Sequence, residues 1–140
     1  MSNSGPNWRS GLVPPNLTLA MLSQSAGGVL AQTTYFVVIT LLNALGETIA
    51  SVEQSLTVSA NNVLNVASPS AENSGPLAGL NATGWNVYVG TVAGGETKQN
   101  AAPIAIGTPW VEPVGGLIAG AKPPATNTTY ANPLVNTRQF

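Results

Sequence analysis

Few side chains in this sequence are able to take part in acid–base chemistry. The chain has 140 residues and five glutamates, but no histidine, cysteine or aspartate. This composition excludes Ser-His-Asp and Cys-His arrangements, thiolate zinc sites and aspartate-based calcium loops. Glu47 and Glu53 are close in sequence, and two neighbouring carboxylates are the machinery of glycoside hydrolysis. We expect them instead to be ordinary exposed charges, and we predict a protein that is not an enzyme and has no catalytic residue, cofactor or metal site.

Two aromatic residues are candidates for ligand stacking. Tyr88 falls on the opposite face of its predicted strand from Trp85, and an exposed aromatic ring can stack on a sugar ring. Trp85 is expected to pack in the core. Trp110 is the second candidate, and for this residue stacking and core packing both stay open.

The small number of charges also limits the classes of partner. Nine residues are charged, or 6% of the chain, against about 25% in an average soluble protein. The four lysines and arginines are scattered, so no basic surface for nucleic acid is predicted. No apolar run is long enough for a transmembrane helix. We therefore expect much of the surface to be covered by partner proteins; the alternative is a surface built from Asn, Thr, Ser and Gln.

The elements that must position these residues are predicted to be β-strands. Segment 34–43 is rich in β-branched and aromatic residues, which favours a strand. Both of its faces are mostly apolar, so the outer face is covered either by an arm or partner, or by the rest of the chain. Gly46 and Asn61 mark turns, since both tolerate positive φ. Further short strands are predicted at 47–52, 54–59, 63–67, 84–90, 104–106 and 108–111.

About seven short strands without a helix are typical of an all-β sandwich. The flanking regions are rich in proline and glycine and show no regular periodicity. We therefore divide the chain into an N-terminal extended arm with the first edge strand (1–30), a β-sandwich (31–112) and a C-terminal extended arm (113–140).

Two segments resemble the fibronectin type III-like modules found in structural proteins of tailed bacteriophages. Thr-Tyr-Phe-Val-Val-Ile-Thr-Leu-Leu-Asn-Ala-Leu-Gly-Glu-Thr (34–48) is similar to the hairpin of strands F and G in that family. Thr-Gly-Trp-Asn-Val-Tyr-Val-Gly (83–90) is similar to its strand C. The two segments occur in the reverse of the family's order, so the resemblance implies an immunoglobulin/fibronectin III-like sandwich with permuted strands, in which the first hairpin pairs with later strands.

The arms contain apolar residues that a freely disordered tail would normally lack. Because such residues are typical of protein interfaces, we predict that they anchor the chain to neighbouring subunits. The predicted anchors are Trp8, Leu12, Val13, Leu134, Val135 and Phe140.

The resemblance and the arms together lead to a hypothesis for function. We expect a capsid decoration or cement protein of a phage virion, made in the host cytoplasm, that binds the major capsid protein or other virion proteins. Self-association is left open. The alternatives are a neck, tail or fibre-associated structural protein, and a carbohydrate-binding adhesion module.

Overall fold

A computed structural model describes residues 11–71 and 80–130. Within these residues the chain forms eight β-strands, preceded by one short 3-10 turn, Leu19–Met21. No helix in this part of the chain is long and apolar enough to cross a membrane. The strands are β1 (Leu22–Ala26), β2 (Thr33–Leu42), β3 (Gln54–Val58), β4 (Asn62–Val66), β5 (Gly84–Gly90), β6 (Thr97–Lys98), β7 (Ile104–Ala105) and β8 (Trp110–Val111).

The strands form two antiparallel sheets, which gives the all-β sandwich expected from the sequence. One sheet has the order β1-β4-β8, and the other has the order β3-β2-β5-β6, with β7 also pairing with β5. In the larger sheet Phe36–Leu42 of β2 pairs with Gly84–Gly90 of β5. The first hairpin therefore does pair with a later strand. The fibronectin resemblance itself stays a prediction.

The core lies between the two sheets and is built by alternation along the strands. Side chains at every second position of β2 and β5 point inward, as a pleated strand requires. Each such side chain, when fully buried, contributes about 1.5–3 kcal/mol to stability. The buried cluster includes Tyr35, Val37, Ile39 and Leu41 of β2, Trp85, Val87 and Val89 of β5, and Leu22, Leu64, Val66 and Trp110 of the smaller sheet.

The strand predicted at 47–52 is not a regular strand. Hydroxyl groups replace part of the backbone ladder there: the Leu41 N–H donates to Thr48 Oγ1 at 3.1 Å, and the Ile39 N–H donates to Ser51 Oγ at 3.0 Å. The Thr48 and Ser51 N–H groups in turn donate to the carbonyls of Leu41 and Ile39, both at 2.9 Å. This segment therefore satisfies the edge of β2 while following a bulged path.

Of the other predicted strands, four are confirmed and two are shorter than expected. Segments 34–43, 54–59, 63–67 and 84–90 correspond to β2, β3, β4 and β5, and the turn at Asn61 has the expected positive φ of 66°. The last two predicted strands shrink to two residues each, and the two-residue β6 was not predicted. Strands this short leave no periodicity in the sequence.

Large parts of the predicted arms belong to the sandwich. Leu12 and Leu17 are buried in the core, and Leu117 packs against it. On the C-terminal side, the Lys98 N–H donates to the Ala121 carbonyl at 2.8 Å, which holds this segment beside β6. The described parts of both predicted arms therefore contribute to the packing of the sandwich. A segment without periodicity can still be held through individual backbone and side-chain hydrogen bonds.

The two ends of the described chain meet at one place. The Leu12 N–H donates to Thr129 Oγ1 at 3.0 Å, and Asn127 Nδ2 donates to the Leu12 carbonyl at 2.8 Å. A Cβ on Gly11 would lie 2.7 Å from the Cα of Tyr130, so the two chain segments touch. We call Leu12, Asn127 and Thr129 the terminal clasp. Residues 1–10 and 131–140 are therefore attached at neighbouring points.

Leu12 and Val13 provide a matched test of this packing. Leu12→Ala should lower the free energy of unfolding by about 2–5 kcal/mol because it leaves a cavity in the core. Val13 is 55% exposed, so Val13→Ala should change that free energy by no more than about 0.5 kcal/mol. Urea denaturation followed by tryptophan fluorescence measures both. Equal small effects would show that Leu12 belongs to a loose arm.

Candidate functional site

The central part of the outer face of the larger sheet is buried although it points away from the core. Val38, Thr40, Asn86 and Tyr88 lie on this face, and none is more than 6% exposed. Among the two interpretations left open by the sequence, the structure therefore supports coverage by the chain itself. Three of the four residues are polar, so their burial requires hydrogen-bond partners.

Glu47 supplies most of these partners. Its Oε2 atom accepts hydrogen bonds from Thr40 Oγ1 at 2.6 Å, Asn86 Nδ2 at 2.9 Å and Tyr88 Oη at 2.5 Å. Hydrogen bonds to a charged acceptor are shorter and stronger than neutral ones. We call these four residues the Glu47 cluster. The Oε2 atom of Glu47 thus accepts three hydrogen bonds from side chains of the fold itself, as expected of a structural acceptor.

The turn before Glu47 orients the Glu47 side chain toward the sheet. Asn43 Oδ1 accepts hydrogen bonds from the N–H groups of Leu45 and Gly46, as in an Asx-turn. Thr128 then closes over this turn: its N–H donates to the Glu47 carbonyl at 3.0 Å, and its Oγ1 accepts from the Glu47 N–H at 3.0 Å. The C-terminal segment thus fixes the backbone that carries the carboxylate.

Asn100 extends the polar network along β5. Its Nδ2 donates to Asn86 Oδ1 at 2.7 Å, and its Oδ1 accepts from the Val87 N–H at 2.9 Å. This side chain therefore takes the place of a missing strand neighbour. Burial raises the pKa of Tyr88, and its hydrogen bond to the Glu47 carboxylate and the charge of that carboxylate raise it further.

A second Tyr–Glu pair joins the two sheets. Tyr35 Oη of β2 donates to Glu112 Oε2 at 2.6 Å, and the Leu64 N–H of β4 donates to Glu112 Oε1 at 2.9 Å. Burial, followed by the hydrogen bond to Glu112 and its charge, raises the pKa of Tyr35 to about 12. Glu112 is buried and both of its oxygens are occupied. It acts as a cross-link between the sheets.

A third carboxylate group is an acidic pair, Glu53 and Glu96. The Gly94 N–H donates to Glu53 Oε1 at 3.1 Å, which draws Glu53 to the turn that precedes Glu96. Glu96 is 5% exposed, and it lies two residues after Gly94, the residue whose N–H binds Glu53. Burial and the neighbouring Glu53 carboxylate raise the pKa of Glu96. Among the buried side-chain atoms of the described residues, Glu96 Oε2 has no hydrogen-bond partner.

The carboxylate pair considered from the sequence is therefore not the pair that forms. Glu47 accepts a hydrogen bond from Tyr88 and is partly buried, so it is not the ordinary exposed charge that we expected. Glu53 is exposed, as expected, and accepts a hydrogen bond from the Gly94 N–H. The polar residues at alternate positions of two apolar strands, Thr40, Asn86 and Tyr88, were the available signal of a buried polar face. Within residues 11–71 and 80–130, no cluster of three or more acidic, histidine or cysteine residues could hold a metal ion.

The predicted stacking residues do not present their rings to solvent. Tyr88 is 2% exposed and Trp110 is 8% exposed. Trp110 belongs to the core cluster, and Tyr88 is held by Glu47. The exposure that carbohydrate stacking requires is absent at both positions.

The predicted arm anchors divide into three groups. Leu12 is buried in the chain's own core, so it has no free side chain to offer a neighbour, contrary to our expectation. Val13 is exposed and keeps the capacity for such a contact. The anchors Trp8, Leu134, Val135 and Phe140 lie outside the described residues.

An open groove of about 480 Å³ lies beside the terminal clasp. Its wall includes Leu45, which is half exposed, together with Asn43, Gly46 and Thr128. Because Thr128 adjoins Thr129 of the clasp, the groove opens close to the points where both terminal segments are attached.

Comparisons with protein-family models, with curated proteins and with solved structures found no match. The case for function therefore depends on the residues and contacts described above.

The hydrogen bond from Tyr88 to Glu47 can be tested with a double-mutant cycle. Tyr88→Phe should lower the free energy of unfolding by about 1.5–3 kcal/mol, because it removes a buried hydrogen bond to a charged group. In a Glu47→Gln background the same change should cost less, since the charged acceptor is already gone. Urea denaturation of the four proteins gives the coupling. An equal cost in both backgrounds would contradict the pairing.

The raised pKa values of Tyr35 and Tyr88 predict a loss of stability at alkaline pH. Above about pH 10 the unfolded chain releases phenolic protons that the folded chain retains, so stability falls as the pH rises. Unfolding measured between pH 8 and 12 should show this fall, and Tyr88→Phe should make it shallower. A titration of tyrosinate absorbance in the folded protein with no delayed component would contradict the prediction.

Proposed function

We propose that this chain is a non-enzymatic structural protein of a tailed-bacteriophage virion. In this proposal it is a decoration or cement subunit on the capsid, and its terminal segments bind neighbouring subunits. The observation that carries the proposal is the terminal clasp, which joins the two ends of the sandwich at one place.

The position of the clasp supports binding of both terminal segments to the same partner. Residues 1–10 and 131–140 begin next to each other, and ten extended residues reach at most about 33–36 Å. Both segments can therefore contact the same neighbouring surface. Once one has bound, binding of the other becomes intramolecular, which raises the overall affinity without a new contact.

The surface near the clasp also supports a protein partner. Two apolar side chains here are about half exposed: Val13, which directly follows Leu12 of the clasp, and Leu45, which lines the groove beside it. Exposed apolar side chains with few charges around them are typical of surfaces that proteins bind. The low overall charge agrees with a surface covered in an assembly.

The use of the carboxylates supports a structural role. Together the Glu47 and Glu112 carboxylates accept five hydrogen bonds, four from side chains of the larger sheet and one from a backbone N–H of the smaller sheet. An acid or base for catalysis needs a proton position that substrate can reach. These two carboxylates instead hold the protein's own donors.

A position at the neck or tail is the alternative within the same class, because the clasp would serve there equally. The carbohydrate-binding alternative has less support, since the rings of Tyr88 and Trp110 are buried.

Truncation at the clasp separates folding from assembly. The truncated chains should lack residues 1–10 or residues 131–140. Deletion of residues 1–15 or 128–140 would also remove Leu12 or Thr129 of the clasp. Each short truncation should leave the urea midpoint unchanged. Loss of one of two linked segments should weaken binding about 10²–10⁴-fold.

Binding is measured by adding purified variants back to phage particles that lack this chain, followed by co-sedimentation and cryo-electron microscopy. Val92→Ser, a change at an exposed apolar residue in the turn after β5, serves as a surface control. Unchanged binding of both truncated forms would overturn the role of the terminal segments. Density at the neck or tail would favour the alternative location.

A further inference from the structure

The acidic pair lies where two distant parts of the larger sheet meet. Glu53 directly precedes β3, and Glu96 directly precedes β6, at the opposite side of the sheet. The turn between β5 and β6 carries Gly94, whose N–H donates to Glu53. This turn brings the two carboxylates together.

The pair is electrostatically incomplete. Two neighbouring carboxylates repel each other, and a buried carboxylate oxygen without a donor retains its full cost of desolvation. Glu96 Oε2 is such an atom. The other two buried or partly buried glutamates are treated differently, since the Glu112 carboxylate accepts two hydrogen bonds and the Glu47 carboxylate accepts three. A buried polar atom with no partner calls for an ion or another missing group.

We propose that Glu53 and Glu96 bind a hard divalent cation, Mg²⁺ or Ca²⁺, through Glu96 Oε2 and the Glu53 carboxylate. Carboxylate oxygens are the ligands that these ions prefer, and Mg²⁺ is commonly held by one or two carboxylates while it keeps several waters. Glu53 is exposed, so water molecules can complete the coordination from the solvent side.

Such a cation would stabilise the contact between the two sides of the larger sheet. It would tie the turn before β6 to the segment before β3, with the central strands β2 and β5 between them. This role is independent of the proposed function, because it concerns the stability of the sandwich and none of the residues of the terminal clasp.

The test uses the full chain after removal of metal ions with a chelator. Urea denaturation is followed while MgCl₂ or CaCl₂ is added, and NaCl of equal ionic strength serves as the salt control. At ten times the dissociation constant, the folding equilibrium constant should rise about elevenfold, because the ion binds only the folded chain. Glu96→Gln and Glu53→Gln should each abolish this response.

Glu112→Gln is the matched control. It also alters a buried glutamate, but one whose two oxygens already have donors, so it should lower stability and leave the response to the cation intact. Isothermal titration calorimetry with Glu53→Gln, a change at an exposed position, gives a second measurement if Glu96→Gln does not fold. An equal response in the wild type and both acidic-pair variants would overturn the proposal. So would a wild type that ignores the cations and instead loses stability as the pH rises above the carboxyl range, since a shared proton would then occupy the site.

Discussion

Residues 37–41 of strand β2 are buried on both faces of the sheet, and most of the structure follows from that constraint. Its inner face carries the apolar residues of the core, among them Val37, Ile39 and Leu41. Its outer face carries Thr40, which is fully buried and lies beside Asn86 and Tyr88 of β5. A polar group taken out of water must be hydrogen-bonded. The chain therefore has to bring a strong acceptor to this face, and Glu47 is that acceptor.

The need for such acceptors explains how the few carboxylates are used. Glu47 accepts hydrogen bonds from side chains on the outer face. Glu112 accepts hydrogen bonds from Tyr35 in one sheet and from a backbone N–H in the other. Glu96 is buried as well. Because glutamates are drawn into the fold, the surface holds even fewer charges than the composition suggests. A surface of this kind is suited to contact with other proteins, which agrees with the proposed structural role.

The same network ties the termini to the sheet. Thr128 hydrogen-bonds to the backbone of Glu47, and the next residue, Thr129, hydrogen-bonds to Leu12. The position of the acceptor on the outer face is thus linked to the position of both chain ends. The described residues of the predicted extended arms are therefore partly structural.

The sequence by itself determined the all-β class, strands β2 to β5 and the turn at Asn61. These features depend on local periodicity and on backbone conformation, which are visible within a few residues. The tertiary structure alone decided that Leu12 packs in the core and that Thr48 and Ser51 complete an edge with hydroxyl groups. It also decided that Glu53 binds the turn that carries Gly94. Those contacts join residues far apart in the chain or replace a regular ladder with individual hydrogen bonds. They leave no periodic pattern, because each depends on where the sheets bring the partners together.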